Sequence, residues 1–478
     1  MELNSKTISK FYKNFLGHPE FQVSKNAIGN STFKNVVIDR NYVQTDTKDV
    51  FSKKIDVKTK VTDQEDSGRC WMFAILNVIR LDIIKNLKLE DDFEFSQNYL
   101  FFFFKLEQAN YFLKLISDFK DEEIDSRYNN LLLKTPIEDG GHFHMFADLI
   151  KKYGIVPKSV MGDSVQAKNT SHLNRILSLL LREAALKIRA AKTPTGVKAV
   201  TEETLSNVFN ILVIFLGEPP INFDWEYYRE TGKKSDKKNN KSNKKKNGKS
   251  KSNHSKKDKH SKKVKRGGSS GKYHIVPNLT PLEFYKKYVP FDPDDYIVLI
   301  DYPSKPRFEL YNVEYSKASV DGSETNYVNV SVDLMKKITK ISVDANAAVW
   351  FGCDVDKYSS SKLGIMDRDM FKYQDVIGYD LSTEKTDTLD SQITELSHAM
   401  VIKGYTTRKK QVVNWLVENS WGDLTGKNGN FKMSDPWFDE FVMMIAVRKK
   451  FVPKSILKVL KKKPVKLPAW CPFGSLMV

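Results

Sequence analysis

The stretch Gln64–Trp71, with the sequence QEDSGRCW, carries a candidate nucleophile at the start of a candidate helix. From Cys70 to about Lys88, apolar residues recur at helical spacing, which predicts a buried or half-buried helix beginning at Cys70. A thiol there lies at the positive end of the helix dipole, which is expected to lower its pKa and favour the thiolate. Gly68 lets a substrate approach, and the amide of Gln64 can face an oxyanion forming beside the sulfur.

Two later residues supply the partners that a catalytic cysteine needs. His398 lies beside an apolar strand, 328 residues after Cys70, and Asn419 follows 21 residues later in the run VENSWG. An Asn amide oxygen can accept the imidazole N–H and fix the ring, while Trp421 can shield that hydrogen bond from water. A lone cysteine is more often a small buried residue and a lone histidine is more often structural. Here the order Cys70, His398 and then Asn-Ser-Trp-Gly along the chain nevertheless favours Cys/His/Asn catalysis.

Read as Q-x-x-S-G-R-C-W-x-F-A, residues 64–74 resemble the nucleophile segment of papain-like cysteine peptidases, in the form typical of the bleomycin hydrolase (aminopeptidase C) branch. Other segments that fit this branch are Phe93–Phe102, Asp139–Gly141, Lys151–Pro157, Thr280–Tyr285, Val349–Val355, Val417–Gly422, Met433–Phe441 and Leu467–Trp470. The resemblance implies an α+β papain-like fold: a helical subdomain with the nucleophile helix, a β-barrel-like subdomain, helical and hook-like insertions, and an extended C-terminal arm.

The same resemblance implies an aminopeptidase that releases N-terminal residues from peptides through a thioester acyl-enzyme, without cofactor or metal. The matching residues take these roles: Cys70 nucleophile, His398 general base and acid, Asn419 orienter of the imidazole, Gln64 oxyanion donor, and Gly68 and Trp421 substrate contacts. Family members form barrel-like homohexamers, so we expect a homohexamer here. The alternatives are a papain-like endopeptidase with an open cleft, and a catalytically silent nucleic-acid-binding protein on the same fold.

The C-terminal arm departs from the family pattern. In the family, the arm lies in the cleft and its terminal carboxylate meets the α-amino group of the substrate, a role that falls here to Met477 and Val478. Cys471 stands where Asp is usual, Ser475 replaces Ala, and Val478 extends one residue beyond the usual end. We therefore expect Val478 to be trimmed, which leaves Met477 as the carboxylate end.

The net charge of +18 is concentrated in one insert. Residues 233–266 hold 17 of the 77 basic residues and two of the 59 acidic ones, so the rest of the 478-residue chain carries only +3. The wider segment 232–271 is almost free of apolar residues, which predicts disorder. A uniformly basic, histone-like protein is excluded, and 40% hydrophobic residues exclude a wholly disordered chain.

Three interpretations of residues 233–266 remain open. The run can be a solvated loop, a nonspecific contact with nucleic acid or another polyanion, or a nuclear address around 262–266. It contains no aromatic residue for base stacking. The surrounding organisation predicts five parts: an N-terminal segment 1–60, a helical half 61–231, the insert 232–271, a β-rich half 272–451 and an arm 452–478.

The cysteines and histidines give weaker indications about cellular location and metal binding than the motifs give about catalysis. Three cysteines argue against a disulfide scaffold and for a reducing compartment, so a cytoplasmic location is expected, with a nuclear fraction through the insert. No secretory signal or stretch of about 18 apolar residues is visible, and no membrane partner is expected. Cys353 is interpreted as a buried residue beside a strand. His142 and His144 are interpreted as structural or cleft-lining, because no further ligand completes a metal set.

Overall fold

The computed structural model describes residues 2–45, 50–230 and 271–474. The predicted disorder of the insert 232–271 therefore concerns residues outside these ranges, except Gly271. The predicted substrate-binding end, Met477 and Val478, lies outside them as well.

Helices dominate the chain up to residue 216. They are α1 (Ser5–Leu16), α2 (Pro19–Asn30), α3 (Phe33–Val37), α4 (Arg40–Thr45), α5 (Cys70–Leu87), α6 (Gln97–Asp118), α7 (Arg127–Lys134), α8 (Phe143–Tyr153), α9 (Val165–Lys168), α10 (Ser171–Ala190) and α11 (Pro194–Leu216). Six shorter helices follow: α12 (Pro281–Tyr288), α13 (Val332–Asp344), α14 (Tyr373–Ile377), α15 (Lys385–Asp390), α16 (Asp435–Phe441) and α17 (Lys454–Leu457).

Helix α5 begins at Cys70, as the apolar spacing predicts. Its first residues are buried on every side because it lies between the sheet and helices α6 and α8. The indole Nε1 of Trp350, on the sheet, donates to the carbonyl of Trp71 at 3.2 Å. The helix that carries the thiol is thus fixed against the sheet within one residue of Cys70.

Helix α11 starts at Pro194 and ends at Leu216. Thr193 caps it by accepting the N–H of Gly196, and Pro194 is favourable in a first turn. Among the described residues it is the one helix long and apolar enough to cross a membrane by length and composition. The sequence predicts no membrane-spanning stretch, because polar residues interrupt this segment. The mean hydropathy of α11 is nevertheless high enough to meet the criterion for a span.

The strands are β1 (Lys53–Lys54), β2 (Phe223–Glu230), β3 (Gly271–Leu279), β4 (Tyr296–Ile300), β5 (Leu310–Val313), β6 (Asn326–Asn329), β7 (Val349–Cys353), β8 (Ser359–Ser360), β9 (Ile365–Met366), β10 (His398–Arg408), β11 (Gln411–Glu418), β12 (Asn430–Ser434), β13 (Val442–Arg448) and β14 (Val465–Leu467). One 12-stranded mixed sheet has the order β14-β5-β6-β4-β13-β7-β10-β11-β12-β9-β8, with β1 paired to β10. Strands β7, β10 and β11 lie at its centre, and they carry the segments that the sequence marks for catalysis.

The two faces of the sheet bury different layers, since side chains alternate along each strand. On β10, Ala399 and Val401 face the layer that contains α5, whereas Met400 and Ile402 face the layer that contains α13 and α16. The nucleophile helix is therefore packed on the same face as Ala399, the residue after His398.

Strands β2 and β3 form a separate antiparallel hairpin, in which Glu230 pairs with Gly271. The tail after residue 452 is not uniformly extended, contrary to expectation: α17 and a 3₁₀ turn at Lys458–Lys461 precede β14. This part is helical because Ile456 and Val459 pack into the core.

Candidate active site

The thiol of Cys70 lies at the first residue of α5, and only 4% of the residue is exposed. The preceding turn requires glycine at position 68, because a Cβ there would lie 2.6 Å from the Cβ of Asp139. The backbone N–H of Gly68 donates to that carboxylate at 3.0 Å, while Gly68 itself remains exposed. Backbone next to the nucleophile is thus accessible to a substrate and held from behind.

Asp139 holds this turn through several partners. Its carboxylate pairs with Lys105 at 2.8 Å and accepts hydrogen bonds from Thr170 and Asn174, while its carbonyl accepts the indole N–H of Trp71 at 2.9 Å. Burial alone would raise the pKa of Asp139, but Lys105 and the hydrogen bonds hold it well below its ordinary value. Asp139 therefore supports the nucleophile loop.

A second buried ion pair supports the same loop from Arg69, whose role sequence reasoning missed. Its Nη1 lies 2.7 Å from Asp163, and its Nε donates to the hydroxyl of Ser67 at 2.9 Å. The guanidinium also lies 5.2 Å from the ring centre of Phe73. An arginine before the nucleophile was visible in the sequence, but its partner 94 residues away was not.

Gln64 lies between the nucleophile loop and the segment that carries Asn419. Its Oε1 accepts the hydroxyl of Ser420 at 2.7 Å, and its Nε2 donates to the carbonyl of Ser67 at 2.6 Å. Its backbone N–H donates to the carbonyl of Ser420 at 2.8 Å. These bonds fix the orientation of the amide, whose second N–H can donate to an oxyanion.

His398 and Asn419 make the contact that their spacing predicts. The imidazole Nε2 lies 2.8 Å from Oδ1 of Asn419, and the same oxygen accepts the backbone N–H of Ser420 at 2.8 Å. Because this oxygen can only accept, Nε2 carries the proton and Nδ1 is left as the basic nitrogen. The ring of Trp421 lies 4.7 Å from the imidazole, between centroids, and covers the hydrogen bond.

The sulfur of Cys70 lies beside β10, within reach of the backbone N–H of Ala399, the residue after His398. Burial raises the pKa of the thiol to about 11, although the N–H groups of Ala399 and Trp71 oppose the shift. The expected lowering by the helix start is thus wrong for the resting thiol, since complete burial outweighs the dipole.

Burial also lowers the pKa of His398 to about 4, and the bond to Asn419 opposes this. Both groups are therefore neutral at rest.

Three further residues that the sequence singles out are Cys353, His142 and His144. Cys353 is fully buried on β7 and pairs with His398 across the ladder, in agreement with a structural role. His142 is buried before α8, and His144 lies in its first turn. Burial lowers the pKa of His142 to about 3 and that of His144 to about 4. Over residues 2–45, 50–230 and 271–474, no group of three His, Cys, Asp or Glu side chains could hold a metal.

Residues 2–251 and 266–474 match the family model described as Peptidase C1-like family. The chain belongs to the Peptidase C1-like family. Aminopeptidase C of Listeria innocua serovar 6a is 37% identical, with 99% of each chain covered. Human bleomycin hydrolase is 33% identical, with 99% of this chain and 98% of the relative covered.

Among solved structures, pepw from Lactobacillus rhamnosis HN001 superposes with a TM-score of 0.88 at 33% identity, with 99% of both chains covered. The Peptidase C1-like fold predicted from residues 64–74 is thereby confirmed. The protein is a cysteine peptidase, and its buried residues include Cys70 and the hydrogen-bonded pair of His398 and Asn419.

Proposed function

We propose that this cysteine peptidase is an aminopeptidase of the bleomycin hydrolase type. One contact carries the proposal: the backbone N–H of Leu396, two residues before His398, donates to the carbonyl of Pro472 at 3.4 Å. The chain therefore passes close to the catalytic histidine six residues before its end at Val478. A carboxylate at that end can pair with the α-amino group of a peptide bound beside Cys70.

The arm is anchored before it reaches this point. Phe473 is fully buried and its ring lies 5.1 Å from that of Tyr302. The backbone carbonyl of Trp470 accepts a hydrogen bond from the side-chain amide of Gln392 at 2.9 Å. The guanidinium of Arg127 lies 3.5 Å from the centre of the Trp470 ring. Cys471, which replaces the usual Asp, is buried in the turn and does not prevent this anchoring.

The geometry supports acyl transfer through a thioester. His398 takes the proton of Cys70, and the sulfur forms a bond to the substrate carbonyl carbon as the carbonyl electrons move to oxygen. The amide of Gln64 and the backbone N–H of Cys70 donate to this oxyanion. His398 then protonates the leaving amine as the C–N bond breaks, and afterwards takes a proton from the water that hydrolyses the thioester.

Two substrates and a truncation test the proposal. The wild type is expected to cleave an aminoacyl fluorophore and to leave an N-blocked peptide intact, while Cys70→Ala cleaves neither. Removal of residues 475–478 is expected to lower the first rate and to allow cleavage of the blocked peptide. Preference of the intact enzyme for the blocked peptide would instead establish an endopeptidase, and equal rates for wild type and Cys70→Ala would reject the enzymatic assignment.

We also propose self-association into a homohexamer. Helices α10 and α11 expose large apolar side chains to solvent: Leu179, Leu186, Phe209 and Ile214. Such a surface on a helical pair is typical of a subunit interface. Sedimentation of the wild type is expected to give six chains, and Ile214→Glu a smaller species, whereas a monomeric wild type would refute the proposal.

The basic insert 233–266 is proposed as a nonspecific polyanion contact. Tyr228 and Tyr273, paired on the hairpin with ring centroids 5.7 Å apart, are about half exposed. They lie five and seven residues from the ends of the insert and add aromatic surface near it. Salt-titrated binding to single-stranded DNA is expected to weaken on deletion of 233–266. Equal affinity for single-stranded DNA after the deletion would exclude the insert as the contact site.

We also propose a cytoplasmic location with a nuclear fraction that depends on the insert. Imaging of the deletion variant in cells tests this distribution.

A further inference from the structure

A buried charge cluster lies directly behind the catalytic residues. We name it the Glu418 cluster and define it as Thr59, Arg80, Lys403 and Glu418. Glu418 is 2% exposed; its Oε1 lies 2.8 Å from Nη2 of Arg80, and its Oε2 pairs with Nζ of Lys403. The hydroxyl of Thr59 accepts from Lys403 at 3.1 Å and donates to Glu418 at 3.3 Å.

Each member of the cluster lies on, or a few residues from, a segment that carries one catalytic residue. Arg80 is on α5 with Cys70, Lys403 is on β10 with His398, and Glu418 ends β11 immediately before Asn419. Thr59 lies five residues before Gln64, and the neighbouring carbonyl of Lys60 accepts from Arg80 at 2.7 Å. The cluster therefore joins all four catalytic segments at one point.

The backbone of β10 is modified to place Lys403 there. The register between β10 and β11 shifts between Ile402 and Gly404, so Lys403 sits in a β-bulge. A bulge redirects a side chain and bends its strand, which is common near active sites. A Cβ at Gly404 would lie 2.6 Å from the carbonyl of Lys53, so β1 fits against this bulge only because residue 404 is glycine.

The charge state of the cluster is set by its own members. Burial alone would raise the pKa of Glu418, but Lys403 and Arg80 outweigh it and lower the pKa. The carboxylate is thus ionised between two cations, away from solvent. Replacing a buried ion cluster by apolar residues is often neutral for stability, so stability alone does not account for its presence.

We infer that the Glu418 cluster positions the catalytic residues of this peptidase, by holding α5, β10, β11 and the Gln64 segment in one register. Arg80 is ten residues from Cys70, or about 15 Å along the helix, so the cluster does not touch the reacting atoms. It acts through Asn419, whose Cα is about 3.8 Å from that of Glu418, and through Asn419 on His398.

The main test removes every charge of the cluster together. In the triple variant Arg80→Met/Lys403→Met/Glu418→Leu no uncompensated charge is left buried, so the fold is expected to persist. We expect kcat on an aminoacyl fluorophore to fall at least 10-fold with KM within about twofold, since a misplaced group costs roughly 10–100-fold. We also expect a changed pH profile for alkylation of Cys70 by iodoacetamide, which reports the thiol and imidazole without any substrate.

The matched control is a second buried cluster, Asp301 with Arg307 and Lys385, whose members lie on none of the four catalytic segments. The triple variant Asp301→Leu/Arg307→Met/Lys385→Met is expected to keep both kcat and the alkylation profile. If the two triple variants behave alike, or if the first keeps kcat within twofold, the positioning role is refuted.

A milder variant keeps the test decisive if the triple variant does not fold. Glu418→Asp keeps the charge but shortens the side chain, so it cannot reach both cations. It is expected to lower kcat about fivefold and to change the alkylation profile, and wild-type values for both would refute the inference. The inference rests on cysteine peptidase chemistry at Cys70, which is checked separately by the loss of wild-type activity in Cys70→Ala.

Discussion

The groups in direct contact with the nucleophile loop and with His398 differ in chemistry. On the nucleophile side, buried ion pairs of Asp139 with Lys105 and of Arg69 with Asp163 fix the backbone around Cys70. On the base side, neutral hydrogen bonds run from His398 through Asn419. A fixed anion next to the imidazole would favour its charged form, whereas an amide orients the ring and leaves its protonation free to change.

The largest effect is a loss of stability, and it is expected when a buried charged side chain on the nucleophile side loses its partner. Asp139→Asn keeps the shape of the side chain but leaves Lys105 buried without a counter-charge, which lowers the free energy of unfolding by about 3–5 kcal/mol. Urea denaturation measures it. Asp92→Asn, which breaks the exposed pair with Lys60, is the control and is expected to change little. Equal midpoints for the two variants would contradict the importance of ion pairs on this side.

The next effect concerns the amide that connects both sides. Gln64→Ala is expected to reduce kcat by roughly 10²–10³-fold, because one donor to the oxyanion is lost. Steady-state kinetics on an aminoacyl fluorophore measures it, and the exposed Gln411→Ala serves as the control. A kcat within threefold of the wild type would show that Gln64 does not face the oxyanion.

A charge placed next to the imidazole tests the base side. The wild type is expected to lose kcat/KM as the pH falls through about 4, where His398 becomes protonated in the resting enzyme. Asn419→Asp puts an anion beside the imidazole and raises the pKa of the imidazole. The low-pH limb of the kcat/KM profile is therefore expected to lie about 1–2 pH units higher than in the wild type. An unmoved limb in a folded, active variant would mean that His398 does not determine it.

The smallest effect is expected from the aromatic cover on the base side. Trp421→Phe keeps a ring near His398 but covers less of the bond to Asn419. Contacts between aromatic rings are worth about 0.5–1.5 kcal/mol, so kcat is expected to fall about 2–10-fold. A larger loss in Trp421→Ala would fit the shielding role, whereas wild-type rates in both variants would exclude it.

Local patterns predicted the elements that are buried and regular. The start of α5 at Cys70 and the apolar strand beside His398, which is β10, followed from apolar spacing, because burial on the sheet and periodicity agree there. Helices α1 and α2, which bury no residue, were not predicted, although Ile8, Phe11 and Phe15 recur on α1 at helical spacing.

The supports of the site could not be predicted in the same way. Arg80 and Glu418 are 338 residues apart, and Gly68 and Asp139 are 71 apart, so no local pattern connects them. The pKa of Cys70 was mispredicted for a related reason. A helix start is visible in sequence, whereas the complete burial of the thiol depends on the packing of the sheet and α5.

The pairing of Glu230 with Gly271 has a consequence for how the chain tolerates length. The 40 residues between them leave and rejoin the fold at adjacent backbone positions of one hairpin. The entropy of closing a loop grows only with the logarithm of its length, so extending a two-residue turn to 40 residues costs roughly 3 kcal/mol. A change of length at this position need not alter the packing of the rest of the fold. The hairpin tip can therefore accept an insertion, a deletion or an added domain.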